Sequence, residues 1–87
     1  GVSIDVKATP YMNGKLLFKS VNKFVAELAV LTIEVKEDLY RIPGWINKED
    51  FKKNNGPFLN GVAVTQEDLK PPQELWEMMT NKKNRKI

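Results

Sequence analysis

The chain has 87 residues, a formal net charge of +3, and neither histidine nor cysteine. This length fits one small domain with a modest core, and 41% hydrophobic with 29% charged residues is typical of a globular chain. The missing residue types exclude disulfides, thiolate metal sites, cysteine nucleophiles and histidine bases, and no apolar run approaches the roughly 20 residues of a membrane span.

The positive charge is concentrated at the C-terminus. Four of the 14 basic residues fall in the last six positions, which leaves ten against 11 acidic residues, a net charge of −1, for residues 1–81. The sequence therefore predicts a single globular domain over 1–81 and a flexible basic tail over 82–87. The basic residues of the tail are Lys82, Lys83, Arg85 and Lys86.

Residues 2–18 have the pattern of a β-hairpin. Val2, Ile4 and Val6 alternate with polar residues, as in a strand that is buried on one face. Asn13-Gly14 is a dipeptide that favours a type I′ turn, and residues 15–18 supply the return strand. Pro10 cannot donate to a ladder, which indicates an edge strand or an irregularity.

Residues 21–39 predict the main helix. Ser20 is the candidate N-cap, and apolar side chains then recur at helical spacing along one face. A second interpretation ends the helix near Ala29 and continues as a strand, because residues 31, 33 and 35 alternate with polar neighbours and are rich in β-branched types. The helical face consists of Val21, Phe24, Val25, Leu28, Leu31, Val35 and Leu39.

Short elements follow Pro43-Gly44, which is expected to end the helix. Asn47 predicts an N-cap for a helix over 48–53. A small hairpin is expected over 58–64 around Asn60-Gly61, and Thr65 is expected to cap a single turn. Residues 72–81 predict a last helix with proline in its first turn.

Catalysis finds little support in the residues. Neither Ser3 nor Ser20 lies in a Gly-x-Ser-x-Gly elbow, and the glycines lie in turn contexts. Three acid pairs, Glu37-Asp38, Glu49-Asp50 and Glu67-Asp68, could hold Mg²⁺ or act as acid and base. The last two fall in predicted first turns, where they complement the helix dipole, and the first is expected on a solvated face or at a partner contact. The sequence predicts a protein that is not an enzyme and uses no cofactor or metal.

Association with another protein, or with a second copy, is the predicted function. Val30 and Ile33 lie off the apolar face of the predicted helix and indicate a helix covered on more than one side. Trp45 and Trp76 are residues of the type enriched at interface hot spots, and Met79 suits an adaptable apolar surface. The predicted protein-contact residues are Val30, Ile33, Trp45, Trp76 and Met79.

Nucleic-acid binding is the alternative function, with the basic tail contacting phosphates. Tyr11 and Phe18 would stack on bases beside a small cationic patch formed by Lys15, Lys19 and Lys23. The sequence indicates neither a membrane segment nor a small-molecule substrate, and the lack of cysteine favours the cytoplasm.

The fold class that these patterns predict is α+β. An N-terminal β-hairpin packs on one long amphipathic helix, and short helices and turns follow. The function that they predict is a non-catalytic interaction module, a small subunit of an oligomer or larger assembly.

Overall fold

The computed structural model of the chain describes residues 2–77. Its framework is two three-stranded sheets with short helices at their margins. The strands are β1 (Ile4–Thr9), β2 (Leu16–Phe18), β3 (Leu28–Lys36), β4 (Leu39–Asn47), β5 (Gly56–Phe58) and β6 (Gly61–Val64). The helices are α1 (Lys48–Asn54) and α2 (72–77), with single 3₁₀ turns at Val21–Lys23 and Gln66–Asp68.

The first sheet has the strand order β1-β3-β4. β1 and β3 are parallel and in continuous register, from Ile4 opposite Leu28 to Thr9 opposite Ile33. β3 and β4 form an antiparallel hairpin, and β4 also bridges a short downstream segment at Lys70. The N-terminal strand therefore pairs with a segment that lies 24 residues further along the chain.

The second sheet has the order β2-β6-β5, with both pairings antiparallel. Its strands have three or four residues each, and it packs with α1 and the first sheet around the main core. Three phenylalanine rings stack or meet edge to face at centroid distances of 4.8–5.3 Å, an arrangement that adds to the burial energy. The buried cluster is Leu16, Phe18, Phe24, Ala29, Leu31, Ile46, Phe51 and Val64.

A smaller core lies on the opposite face of the first sheet. Leu28, Val30 and Trp45 on the strands pack against Leu75 of α2. β3 is thus the central strand of its sheet and is covered on both faces, so the four consecutive residues 28–31 are all buried. No helix in the described part of the chain is long and apolar enough to cross a membrane.

The predicted helix over 21–39 is wrong. Only the single 3₁₀ turn at Val21–Lys23 is helical there, and residues 28–36 form β3. A strand covered on both faces carries apolar residues without alternation, and such a run matches helical spacing by coincidence. The fold is accordingly rich in β-sheet, and the predicted packing of a hairpin on a long amphipathic helix does not occur. The alternative of a strand after Ala29 identified the correct element but placed its start too late.

The predicted N-terminal hairpin is also wrong in its pairing. Both of its strands exist, but β1 joins the first sheet and β2 the second. The segment between them turns through a backbone hydrogen bond from Gly14 N–H to the Tyr11 carbonyl, 2.9 Å long. Gly14 has no positive φ, so Asn13-Gly14 does not form the type I′ turn that would hold two strands side by side.

Three local predictions are confirmed. α1 begins where expected, and the Asn47 side chain accepts a hydrogen bond of 2.8 Å from the Asp50 N–H. β5 and β6 form the small hairpin, but its turn residues are Leu59 and Asn60, one position before the predicted Asn60-Gly61, because Gly61 already pairs with Phe58. Residues 66–68 make the expected single turn, although the Thr65 side chain does not make the capping hydrogen bond that was predicted.

Candidate binding surfaces

The structure separates the predicted protein-contact residues. Val30, Ile33 and Trp45 are buried within the chain, so they present no contact surface in this fold. Trp76 is 52% exposed on α2. Met79 lies outside the described residues. Of the predicted set, Trp76 is therefore the described member that a partner could reach.

Trp45 fastens the segment before α2 to the edge of the first sheet. Its N–H donates to the Lys70 carbonyl at 3.1 Å, and its own carbonyl accepts from the Lys70 N–H at 2.8 Å. Its indole Nε1 donates to the Pro71 carbonyl at 3.0 Å. The Lys70 ammonium lies 5.2 Å from the indole ring centroid. These contacts explain why Trp45 is part of the core rather than of an interface.

The end of the β3–β4 hairpin forms an exposed arm, residues 34–41. All eight residues are exposed. Among the described residues, they form strand pairs only with the other strand of the same hairpin. β1 ends opposite Ile33, so the arm continues beyond the sheet. Val35, Leu39 and Tyr40 are large apolar side chains on this arm that remain open to solvent.

Two register shifts bend the hairpin. Between the pairs Leu31–Gly44 and Ile33–Arg41, β4 contains one extra residue, and between the Glu34 and Lys36 pairs the extra residue is on β3. Such bulges kink and twist a strand. Pro43 lies within the first bulge, a position where a missing N–H is tolerated. Pro43-Gly44 therefore lies inside β4 and does not end an element, contrary to the sequence-based expectation.

A groove lies between the end of β1 and the second sheet, with a volume of about 590 Å³. Lys7 and Lys15 are the charged residues in its lining. The Asp5 carboxylate, outside the lining, lies 3.7 Å from the Lys7 ammonium. The Lys15 ammonium lies 4.2 Å from the Phe58 ring centroid, and the Lys7 ammonium lies 4.4 Å from that of Phe18. Both lysines are thus held against aromatic rings by cation–π contacts. We call this surface the basic groove; its principal residues are Lys7, Tyr11, Lys15, Leu17, Phe58 and Leu59.

Gln66 fixes one wall of the basic groove. Its side-chain Nε2 donates to the carbonyls of Met12 and Gly14, at 2.8 and 3.0 Å. These bonds hold the 11–14 turn against the 3₁₀ turn that contains Gln66. Sequence reasoning did not single out Gln66, Lys7 or Phe58, because only the pairing of distant strands brings these residues to one place.

The predicted cationic residues do not form one patch. Lys15 and Tyr11 line the basic groove, whereas Lys19 and Lys23 are exposed outside its lining. Phe18 is buried and cannot stack on a base. The tail residues Lys82, Lys83, Arg85 and Lys86 lie outside the described residues.

The acid pairs have local structural positions. Glu49-Asp50 lies in the first turn of α1, and Glu67-Asp68 in the first turn of its 3₁₀ helix. Glu37-Asp38 forms the tip of the arm, with Asp38 at a φ of 62°, and not the late helical turn that was expected. Among residues 2–77, no group of three or more acidic side chains is arranged to hold a metal ion.

Comparison with known proteins finds no matching family model, curated protein or solved structure.

Proposed function

We propose that this protein is a non-catalytic protein–protein interaction module, a small subunit of an oligomer or larger assembly, and that it works in the cytoplasm. The observation that carries the proposal is the exposed arm. Tyr40 is 57% exposed, and Val35 and Leu39 lie close to it in sequence and in the hairpin ladder.

The energetics of the arm support a partner. A two-stranded hairpin is marginally stable alone in water, and the arm lacks a third strand over residues 34–36. Its apolar side chains gain burial energy only when another surface covers them. Aromatic residues such as Tyr40 are enriched where such contacts carry much of the binding energy.

The test is arm-dependent assembly. A Leu39→Ser/Tyr40→Ser variant should lose the partner that the unmodified chain retains in affinity purification from its host. Its thermal unfolding should change little, because these side chains are outside both cores. Val25→Ser is the matched control, since Val25 is equally apolar, 77% exposed and distant from the arm in sequence.

A purified partner then completes the experiment. Binding of that partner to the unmodified chain and to Val25→Ser, with loss of binding by the arm variant, supports the proposal. Equal retention by all three proteins would show that the arm is not the contact surface.

The second candidate function is binding of single-stranded nucleic acid, and the basic groove is the observation that favours it. The Lys15 ammonium, the Lys7 ammonium that also contacts Asp5, and the exposed Tyr11 ring border apolar side chains, a combination that suits phosphates and stacked bases. The sequence predicts that the basic tail, with Lys82, Lys83, Arg85 and Lys86, would also contact phosphates.

Retention on DNA and RNA at two salt concentrations tests this candidate. Lys7→Ala/Lys15→Ala and a deletion of residues 82–87 should each weaken a salt-sensitive interaction, while Lys52→Ala on the exposed part of α1 should not. No retention at low salt by the unmodified chain would dispose of it.

A further inference from the structure

One edge of β1 pairs with β3; the other edge has unpaired backbone N–H and C=O groups within the described residues. The Leu28 N–H donates to the Ser3 carbonyl at 3.2 Å, and the parallel register then directs the backbone groups of Asp5 and Lys7 toward β3. The N–H and C=O groups of Ile4, Val6 and Ala8 therefore point away from the sheet. Among residues 2–77, no strand pairs with that side of β1.

The two edges of the first sheet differ in how they are protected. β4 carries a bulge, a proline and the bridge from Trp45 to Lys70, which are features that prevent further strand addition. β1 has an unbroken register and no proline between Ile4 and Thr9. Val6, at its centre, is 61% exposed. An edge of this kind can accept another strand.

Two copies of β1 placed side by side in antiparallel directions carry complementary charges. An antiparallel copy centred on Val6 places Asp5 opposite the partner's Lys7, and Lys7 opposite the partner's Asp5. The two charges share one face, because they pair with Ala29 and Leu31 of β3, and they lie 3.7 Å apart within one chain. The exposed Val6 side chains meet on the other face.

We propose that two copies of the chain associate through β1, antiparallel about a two-fold axis at Val6. The outward backbone groups of Ile4, Val6 and Ala8 form the hydrogen-bonded pairs, and the two sheets join into one of six strands. A two-fold contact of this kind is closed and uses the same patch on both copies. The inference rests on the proposed function, since it names a second copy as a partner, but it uses a surface separate from the arm.

Cross-linking at the two-fold axis tests the geometry. The chain has no cysteine, so Val6→Cys introduces a single thiol. Two hydrogen-bonded antiparallel residues have Cα atoms about 5.5 Å apart, within the range that a disulfide spans. With diamide as oxidant, Val6→Cys should form a covalent dimer of doubled mass, whereas Val25→Cys, which replaces a residue even more exposed than Val6, should remain mostly monomeric.

Charge variants test the register. In the Val6→Cys background, Asp5→Lys alone and Lys7→Asp alone each place like charges opposite one another, so cross-linking should fall roughly tenfold. An equimolar mixture of the two variants restores complementary charges, and mass spectrometry should detect the mixed dimer as the main product. Sedimentation equilibrium of the unmodified chain over a concentration series should show dimers that Val6→Lys abolishes.

Several results would overturn the proposal. These are equal cross-linking of Val6→Cys and Val25→Cys, no preference for the mixed dimer, or sedimentation as a monomer at every concentration. Binding of an unrelated extended peptide at β1 without self-association would also overturn it. The Leu39→Ser/Tyr40→Ser variant should dimerise normally, so failure at β1 leaves the function of the arm to be judged by its own test.

Discussion

The two tryptophans show how far the same residue type can differ in role. Trp45 is 5% exposed and bonds through both its backbone and its indole to residues 70 and 71. Trp76, five residues beyond Pro71, is about half exposed to solvent. Sequence alone treats the two alike, because the carbonyl that accepts the Trp45 indole N–H is 26 residues away.

Gly44 offers a test of how closely β4 packs against residues 69–70. A Cβ at Gly44 would fall on the Lys70 carbonyl oxygen and within 2.9 Å of the Leu69 Cβ, so backbone must move to admit it. We expect Gly44→Ala to lower the free energy of unfolding by about 1–3 kcal/mol, measured by urea denaturation.

Gly56 supplies the matched control for that experiment. It also lies in a strand, but a Cβ there meets no atom within 4 Å. Gly56→Ala should leave stability within about 0.5 kcal/mol of the unmodified chain or raise it slightly. Equal losses from both substitutions would contradict a specific role for the close approach at Gly44.

Among the elements, those with local signals could be predicted from the sequence. α1 follows from an N-cap and its partner three residues later, and the β5–β6 hairpin from a short turn between apolar residues. Each of these signals lies within a few residues of the structure that it specifies. The sequence predicts these elements because no distant contact is needed to interpret their signals.

β3 could not be identified in the same way. Leu28, Ala29, Val30 and Leu31 are all buried, because one core cluster lies on each face of the strand. The alternation that marks a strand appears only after residue 31, where one face loses its cover: Thr32 is half-buried, whereas Ile33 is still buried. Which segments cover the strand is a property of the tertiary fold, and the apolar run alone fits a helix equally well.

The caps at Asn47 and Ser20 allow a prediction for the helical elements. Both residues precede helical turns, but Asn47 accepts a hydrogen bond from Asp50 N–H, and Ser20 makes no side-chain capping bond. Asn47→Ala should lower the free energy of unfolding by about 1 kcal/mol. Ser20→Ala should lower it by clearly less in the same thermal or urea denaturation series. A larger effect at Ser20 would contradict this reading of the caps.

At the scale of the whole molecule, the strands within residues 2–27 do not pair with each other. β1 pairs with β3 and β2 with β6, so each depends on a later segment. The basic groove arises from the same topology. Sequence reasoning selected Lys15 and Tyr11 for a cationic surface, but the neighbouring Lys7 and Phe58 come together only when these non-local strands pair.

This topology predicts that the chain can be divided and reassembled. Peptides 1–25 and 26–87 should each lack stable structure alone, because the cut separates β1 from β3 and β2 from β6. An equimolar mixture should recover the β-sheet circular dichroism signal of the intact chain. The cut falls beside the exposed Val25, outside the described helices and strands.

Two variants of the first peptide provide the controls. Phe18→Ala should prevent reassembly, because Phe18 stacks on Phe24 and meets the Phe51 ring edge to face. Val25→Ala should reassemble normally. Cooperative unfolding of peptide 26–87 by itself would contradict the expected dependence on the N-terminal strands.

The long-range pairing of β1 and β2 also has a consequence for synthesis on the ribosome. β1 and β2 are made first, but β2 must wait for β6, roughly 45 residues later, which takes about 2–9 s at ordinary rates of translation. During that interval β2 of each nascent chain lacks its native partner, and β1 lacks β3 until residues 28–36 have been made. Chains growing close together on one messenger RNA would hold such strands unpaired at the same time, so we expect the yield of folded protein to depend on how fast the second half is translated.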